Sequence, residues 1–411
     1  MSIIVESLCA PIEMQKVEIV ERKGLGHPDT ICDLIAEEIS FNLCKEYIKK
    51  FGRIMHYNVD KSLLVAGAAE HSFGGGKITL PMLLVIGDRA TIEFDGKEID
   101  IEKIVGNSVN KFFQKNFRFI KKENYRIQIE LKKGSAELTD IFRRKAKVLG
   151  ANDTSACVGY APMSRTEKIV LSLEKFLNSK KFKKEYPEMG EDIKVMGIRN
   201  GNKISLTVAA PLIERYVKSE VDYFRKKREI QEEMENYVKN YIEELTTKKM
   251  GKTKKMEMRY EIYFNTLDKP GRGVNGCYLS ITGTSAEDAD CGEVGRGNRV
   301  NGVIPLNRPV SAEAAAGKNP VSHIGKIYNF LTHKIANRIY EEVGGIEEVY
   351  VWLCSQIGKP INEPKISAVQ LILNKGTLGE VEKEINEILE EELENIDKFC
   401  KKLIEGKVRL V

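Results

Sequence analysis

The sequence predicts an α+β fold, and three observations predict it. Strand-like and helix-like segments are intermixed along the 411 residues. Several strand segments are hairpin neighbours. Clean strand–helix–strand units are few, which argues against a doubly wound parallel sheet.

Residues 31–47 place Ile31, Leu34, Ile35, Ile39, Leu43, Cys44 and Tyr47 at helical spacing, the mark of an amphipathic helix. Residues 63–68 and 78–86 read as strands around the turn at Gly74, Gly75 and Gly76, and residues 125–131 alternate as a strand. Residues 195–198 and 204–209 pair around Asn200-Gly201, a hairpin signal. Residues 213–245 form a long charged helix; 257–264 and 277–282 return to strand character. Residues 328–343 are helical, 349–354 and 366–373 are strands, and 381–403 form one closing helix.

Hydrophobic residues make up 42% of the chain, enough for a sizeable core and against disorder. Aromatics are 8% with a single tryptophan, thin for a protein that stacks many bases. The net charge of +5 is mild for this length and suits a local basic pocket for a small anion rather than nucleic acid. Lys248, Lys249, Lys252, Lys254 and Lys255 form the densest basic run, read as a solvated loop or a binding patch. The eight cysteines have no C-x-x-C spacing, so free thiols in a reducing, cytoplasmic compartment are expected. No leader pattern and no membrane-length apolar run is seen.

Four segments carry candidate chemistry. In Glu21-Arg22-Lys23-Gly24-Leu25-Gly26-His27-Pro28-Asp29, two glycines and a proline set His27 and Asp29 just before a helix N-terminus. Unpaired N–H groups there favour phosphate, and Asp29 can hold Mg²⁺ or cap the helix with Thr30. Between Thr282 and Lys326 lie Glu287, Asp288, Asp290, Glu293, Arg296, Arg299, Arg308, Lys318, His323 and Lys326, threaded by seven glycines. Both charge signs on a long irregular segment suit a metal–polyphosphate site. Gly150-Ala151-Asn152-Asp153-Thr154-Ser155 is a turn in which Asp153 either receives an amino group or is structural. Asp192 and Lys194, two apart at a strand start, share a face, as an active pair or an ordinary ion pair. P-loop, dinucleotide-fingerprint, nucleophile-elbow and kinase motifs are missing.

ERKGLGHPD, GANDTS, DCGEVGRGNRVNG and AAAGKNPVSHIGK, in this order, resemble the archaeal S-adenosylmethionine synthetases nearly end to end. The resemblance implies synthesis of S-adenosylmethionine from ATP and L-methionine, with hydrolysis of the triphosphate to diphosphate and phosphate. By the family's GHPD motif it implies a catalytic His27 and a Mg²⁺-binding Asp29, with Thr30 where lysine is usual. GANDTS puts the methionine-binding role on Asp153, and a D-x-K pair falls on Asp192 and Lys194. The glycine-rich stretches give Asp290 and Arg296, then Lys318, with Ser322, His323 and Lys326 as nearby polar groups. Two Mg²⁺ ions are implied, and a potassium site for which Asp60 is the candidate acid. The segment at Gly134, Ser135 and Glu137 matches a mobile loop, a lid whose glycine allows hinging. Residues 1–411 become one catalytic chain of three similar interleaved α+β domains about a pseudo-three-fold axis, with mixed or antiparallel sheets and helices on one side. A homodimer with interface active sites is implied too, without membrane or nucleic-acid partners. Competing readings are another Mg-ATP-dependent transferase or ligase, a non-catalytic partner subunit, and an RNA binder using the basic run.

Overall fold

The computed structural model describes residues 2–5, 10–144, 146–248 and 258–410. Cys9, Glu257 and the basic run from Lys249 to Lys255 lie outside the described residues. Three larger sheets carry the architecture. The first orders Ser2–Val5, Ile366–Leu373, Ile346–Cys354 and Ala156–Ala161. The second orders Arg259–Phe264, Lys203–Ala209, Lys194–Asn200, Val17–Lys23 and Ile304–Pro305. The third orders Tyr125–Lys132, Met82–Ala90, Leu63–Val65 and Gly292–Glu293. In each, the first pair is parallel and the following pairs are antiparallel. The fold is therefore mixed α and β, as the intermixed periodicities predict.

Besides a short helix at Lys180–Glu185, the helices among the described residues are α1 (Pro28–Phe51), α2 (Ile101–Asn116), α3 (Ala136–Arg143), α4 (Arg165–Leu177), α5 (Glu220–Lys248), α6 (Ile324–Glu342), α7 (Leu378–Glu394) and α8 (Ile396–Ile404). Each sheet has its own apolar core, the main source of stability in such layers. Ile35, Ile39 and Leu43 of α1 meet Leu84 and Val109 over the third sheet. Ile327 and Leu331 of α6 meet Val351, Val369 and Ile385 over the first. Ile169 and Leu173 of α4 meet Val195, Leu206 and Ile230 over the second. No helix among the described residues is long and apolar enough to cross a membrane.

The structure amends several predicted elements. Residues 78–86 are two strands, because Pro81 has no N–H to continue a ladder. Lys77–Leu80 pairs with Ala68–Glu70, while Met82–Ala90 enters the third sheet. The strand expected over 277–282 ends at Ser280. There the Glu287 carboxylate accepts the N–H groups of Ile281 and Thr282, both at 2.7 Å. The helix expected from 213 begins at Glu220, since Leu212–Ile213 pairs with Leu279–Ser280. The closing helix is broken at Asn395 into α7 and α8.

Arg308 falls in the core that joins two units. Its guanidinium donates to the Pro162 carbonyl (3.0 Å), Glu167 Oε2 (3.2 Å), Glu348 Oε1 (3.3 Å) and Tyr350 Oη (2.9 Å). Glu167 lies on α4 and Glu348 in the first sheet, and Glu348 also accepts the Ile12 N–H. Removing one member of a buried ion network leaves the others unpaired, at a cost of about 3–5 kcal/mol. Arg308→Met is expected to lose that much stability in chemical denaturation; a loss under about 1 kcal/mol would show that the network does not join the units.

Candidate active site

The first loop is placed by close backbone contact. Lys23 stands opposite Lys194 in the antiparallel ladder. Beyond it, Gly24 N–H donates to the Ile193 carbonyl at 2.7 Å and Gly26 N–H to the Glu191 carbonyl at 3.0 Å. A Cβ on Gly24 would lie 2.6 Å from the Ile193 oxygen, and one on Gly26 would collide with the Glu191–Asp192 backbone. Thr284 Oγ1 donates to the Gly26 carbonyl at 2.6 Å. Thus GLG lays the residue before His27 on the Glu191–Asp192 backbone and ties it to Thr284.

His27 is the N-cap of α1, and Pro28 takes its first position, where a missing N–H costs nothing. Its Nδ1 accepts the Asp29 N–H at 3.2 Å. Burial, with Lys23 and Lys194 nearby, holds the imidazole down to about 4 against the opposing pull of Asp29. The ring is neutral at pH 7, with its proton on Nε2.

Residues 292–298 wrap the start of α1. Gly292 packs on the Pro28 carbonyl with no room for a side chain. Asp29 Oδ1 accepts the Glu293 N–H at 2.9 Å. Lys23 Nζ joins Asp29 Oδ2 (2.8 Å) to the Arg296 carbonyl (2.7 Å). Asn298 clasps the Lys23 backbone through both its amide atoms, at 3.0 and 2.7 Å. The Arg296 side chain is left exposed.

Asp192 is buried and accepts the Ser285 N–H (2.9 Å) and hydroxyl (2.5 Å). Burial pushes its carboxyl up to about 7 against those two bonds, and the charge of Asp290 adds to the rise. Lys194 Nζ lies 3.3 Å from Glu21 Oε1. His27, Asp29, Asp192, Lys194, Asp290 and Arg296 therefore share one neighbourhood.

Lys318, His323 and Asp60 form a second cluster. Lys318 Nζ lies 2.6 Å from Glu313 and 3.5 Å from Asp60. His323 caps α6, its Nδ1 accepting the Gly325 N–H, and its Nε2 is 3.8 Å from Glu313. Burial and then Lys318 hold this imidazole down to about 3. Asp153 is exposed on a turn docked here, with Asn152 accepting the Ile324 N–H at 3.1 Å. Buried Lys326 pairs with Glu37 at 2.7 Å. The two clusters are joined by α1: Ser40 Oγ donates to the Lys318 carbonyl at 3.2 Å. Asp29 and Ser40 are eleven residues apart, about 16 Å along the helix.

Two carboxylates suit a hard cation. Asp60 Oδ1 is buried without a hydrogen-bond partner, as is Oε1 of Glu21 near Lys23 and Lys194. At Asp29 the Lys23 ammonium already supplies positive charge. Gly134 and Ser135 sit before α3, where Ser135 Oγ caps by accepting the Leu138 N–H, and Glu137 lies in its first turn. The helix borders a cavity of about 670 Å³ lined by Phe94, Lys133, Gly134, Thr139 and Arg143.

Glu21 was legible only as part of the motif. Asp33, Glu37 and Glu313 were missed. Asp29, Asp33 and Glu37 fall at i, i+4 and i+8, so the common face was readable once the helix was placed.

Residues 1–407 match the family described as S-adenosylmethionine synthetase (AdoMet synthetase). The S-adenosylmethionine synthase of Pyrococcus furiosus is 45% identical, over 99% of this chain and 98% of its own. That of Methanothermobacter thermautotrophicus is 42% identical over 99% of both. A solved structure described as an unusual S-adenosylmethionine synthetase from Campylobacter jejuni superposes with a TM-score of 0.58. It is 16% identical over 93% of this chain and 90% of its own, a likeness of fold. The chain belongs to the S-adenosylmethionine synthetase family.

Glu287 and Asp288, read with the candidate metal–polyphosphate segment, instead face His71, which gave no signal beforehand. His71 Nε2 meets Asp288 Oδ2 at 2.7 Å and its Nδ1 meets Glu214; Glu287 is the third acid beside it. Both ring nitrogens are engaged, so an imidazolium occupies the space between the acids. The bonds to Asp288 and then Glu214 push its pKa up to about 10. Its stabilisation is complete below the unfolded value of about 6.5 and is lost as pH rises toward 10. His71→Gln is expected to lower the melting temperature clearly at pH 6 and hardly at pH 10; an equal loss at both would contradict a charged His71.

Proposed function

We propose that the two clusters are halves of one active site for the adenosyl transfer that defines the family. The enzyme makes S-adenosylmethionine from ATP and L-methionine. Methionine sulfur attacks C5′ of ATP, forming the S–C bond as the C5′–O bond breaks and triphosphate leaves. Water then cleaves triphosphate to diphosphate and phosphate. A thioether sulfur carries no proton, so the transfer needs alignment and charge stabilisation rather than a protein base.

The observation that supports the residue assignment is the GLG loop, which lays Gly26 on the Glu191–Asp192 backbone while residues 292–298 wrap Asp29. In this reading neutral His27 presents Nε2–H to the leaving oxygen. Lys194, Arg296 and Lys318 hold phosphate oxygens. Asp192 and Asp290 orient the adenosyl group, and His323 lines the phosphate end. Asp153 receives the methionine ammonium. Bound Mg²⁺, two ions in this reading, would neutralise phosphate charge; Asp29 would hold one, with Glu21 adjacent. Asp60 would serve a K⁺ ion. Gly134, Ser135 and Glu137 would begin a lid through α3.

The reading makes the enzyme a homodimer whose interface joins the first cluster of one protomer to the second of its partner. The separation of the clusters along α1 supports it. It also takes the three sheet units as similar domains about a pseudo-three-fold axis, interleaved in sequence. Their shared strand pattern, one parallel pair followed by antiparallel pairs, supports that. A cytoplasmic setting is supported by the seven free cysteines among the described residues.

His27→Ala is expected to slow S-adenosylmethionine formation about 100- to 1,000-fold, the usual cost of losing one donor aimed at developing charge, while the fold survives with only the modest stability loss of a missing helix cap. Near-normal turnover would remove His27 from the mechanism. Asp29→Asn is expected to raise the Mg²⁺ concentration needed for half-maximal rate; an unchanged requirement would leave Asp29, which the structure places inside α1 and not at its cap, only its bonds to the Glu293 N–H and Lys23.

A further inference from the structure

The turn that bears Arg296 is built around a carboxylate from α1. Asp33 lies one helical turn after Asp29 and is buried. Its Oδ1 accepts the Gly295 N–H at 2.7 Å, and Gly297 packs directly on the same carboxylate with its N–H facing it. Arg296 N–H closes the turn onto the Glu293 carbonyl at 3.4 Å. Gly295 has φ +91, a conformation that favours glycine. At Gly297 a side chain would collide with Asp33 Oδ2.

Backbone N–H groups converging on one point make an anion-binding concavity. Here Asp33 fills it from beneath, so the concavity is not free for phosphate. Its effect is to hold the turn against α1 with the Arg296 side chain outward. Two glycines flank Arg296 because one must adopt a left-handed turn and the other must clear a carboxylate. The sequence G-R-G is thus the complement of Asp33.

We propose that Asp33 is the positioning residue that sets Arg296 for polyphosphate, acting through the N–H groups of Gly295 and Gly297. The inference rests on the reading of Arg296 as a phosphate ligand. It adds to that reading a residue that never touches substrate and still governs affinity for one substrate of the two.

The test is a double-mutant cycle on the full-length enzyme with Asp33→Asn, Arg296→Ala and the pair. Asparagine keeps one acceptor but turns an NH₂ toward the second backbone N–H. KM is measured for ATP and methionine in synthesis, and for inorganic triphosphate in hydrolysis. Asp33→Asn is expected to raise KM for ATP and triphosphate about 10- to 100-fold, the range for losing one hydrogen bond to a charged group. The methionine KM is expected to stay within about twofold, since losing one hydrogen bond at a distant group changes nothing there. Arg296→Ala is expected to add nothing in the Asp33→Asn background, because its guanidinium is already misplaced. Unchanged phosphate KM values in Asp33→Asn, or effects of the two substitutions that multiply, would overturn the proposal. If Asp33→Asn does not fold, Gly297→Ala presses on the same carboxylate and is read by the same constants and outcomes. If Arg296→Ala alone leaves both phosphate KM values unchanged, the phosphate reading of Arg296 falls first, and this proposal with it.

Discussion

At Gly26 the chain runs so close to residues 191–192 that a single methyl group would not fit. The remaining geometry of the first cluster depends on that approach. It fixes where α1 begins, and so where His27 caps it and Asp29 emerges. It also sets Asp192 beside the loop, where Ser285 can reach it. The approach repeats at Gly292 on Pro28. Two backbone-to-backbone contacts thus bring together segments as much as 264 residues apart, and neither uses a side chain.

The charges gathered there are balanced internally. Lys23 pairs with Asp29, Lys194 with Glu21, Lys318 with Glu313 and Asp60, and Lys326 with Glu37. Burying such groups without partners would cost several kcal/mol each. Acidic partners let the fold carry a strongly basic site before a polyanion arrives. In the proposed reading, phosphate oxygens then replace carboxylate oxygens around the same ammonium groups. Arg296 differs: its side chain is exposed, and its position is set through backbone contacts made by Lys23 and Asp33.

The parts of this arrangement that a sequence displays are those written in local pattern. The helix over 31–47, the hairpin around Gly201 and the strand at 366–373 follow from periodicity and turn chemistry. The motif residues followed from glycine-rich blocks and family likeness. Asp33 and Glu37 did not, because α1 is covered on its polar side as well as its apolar side. A helix buried on two faces looks amphipathic only until its second cover, residues 292–317, is known. Pro81 was visible but its consequence was not, since a strand break depends on which neighbour needs the missing N–H. His71 gave no signal at all; Glu214 and Asp288 lie more than 140 residues from it.

We propose that one chain holds two half-sites, completed by a second copy across a two-fold axis. Co-expressing His27→Ala, altered in the first cluster, with Lys318→Ala, altered in the second, tests it directly. A hybrid dimer would carry both substitutions in one site and neither in the other. The purified statistical mixture should then recover about a quarter of wild-type S-adenosylmethionine synthesis, since half the dimers are hybrids with one intact site. A mixture no more active than the two variants measured apart would show that each site is built within a single chain, and would contradict the account.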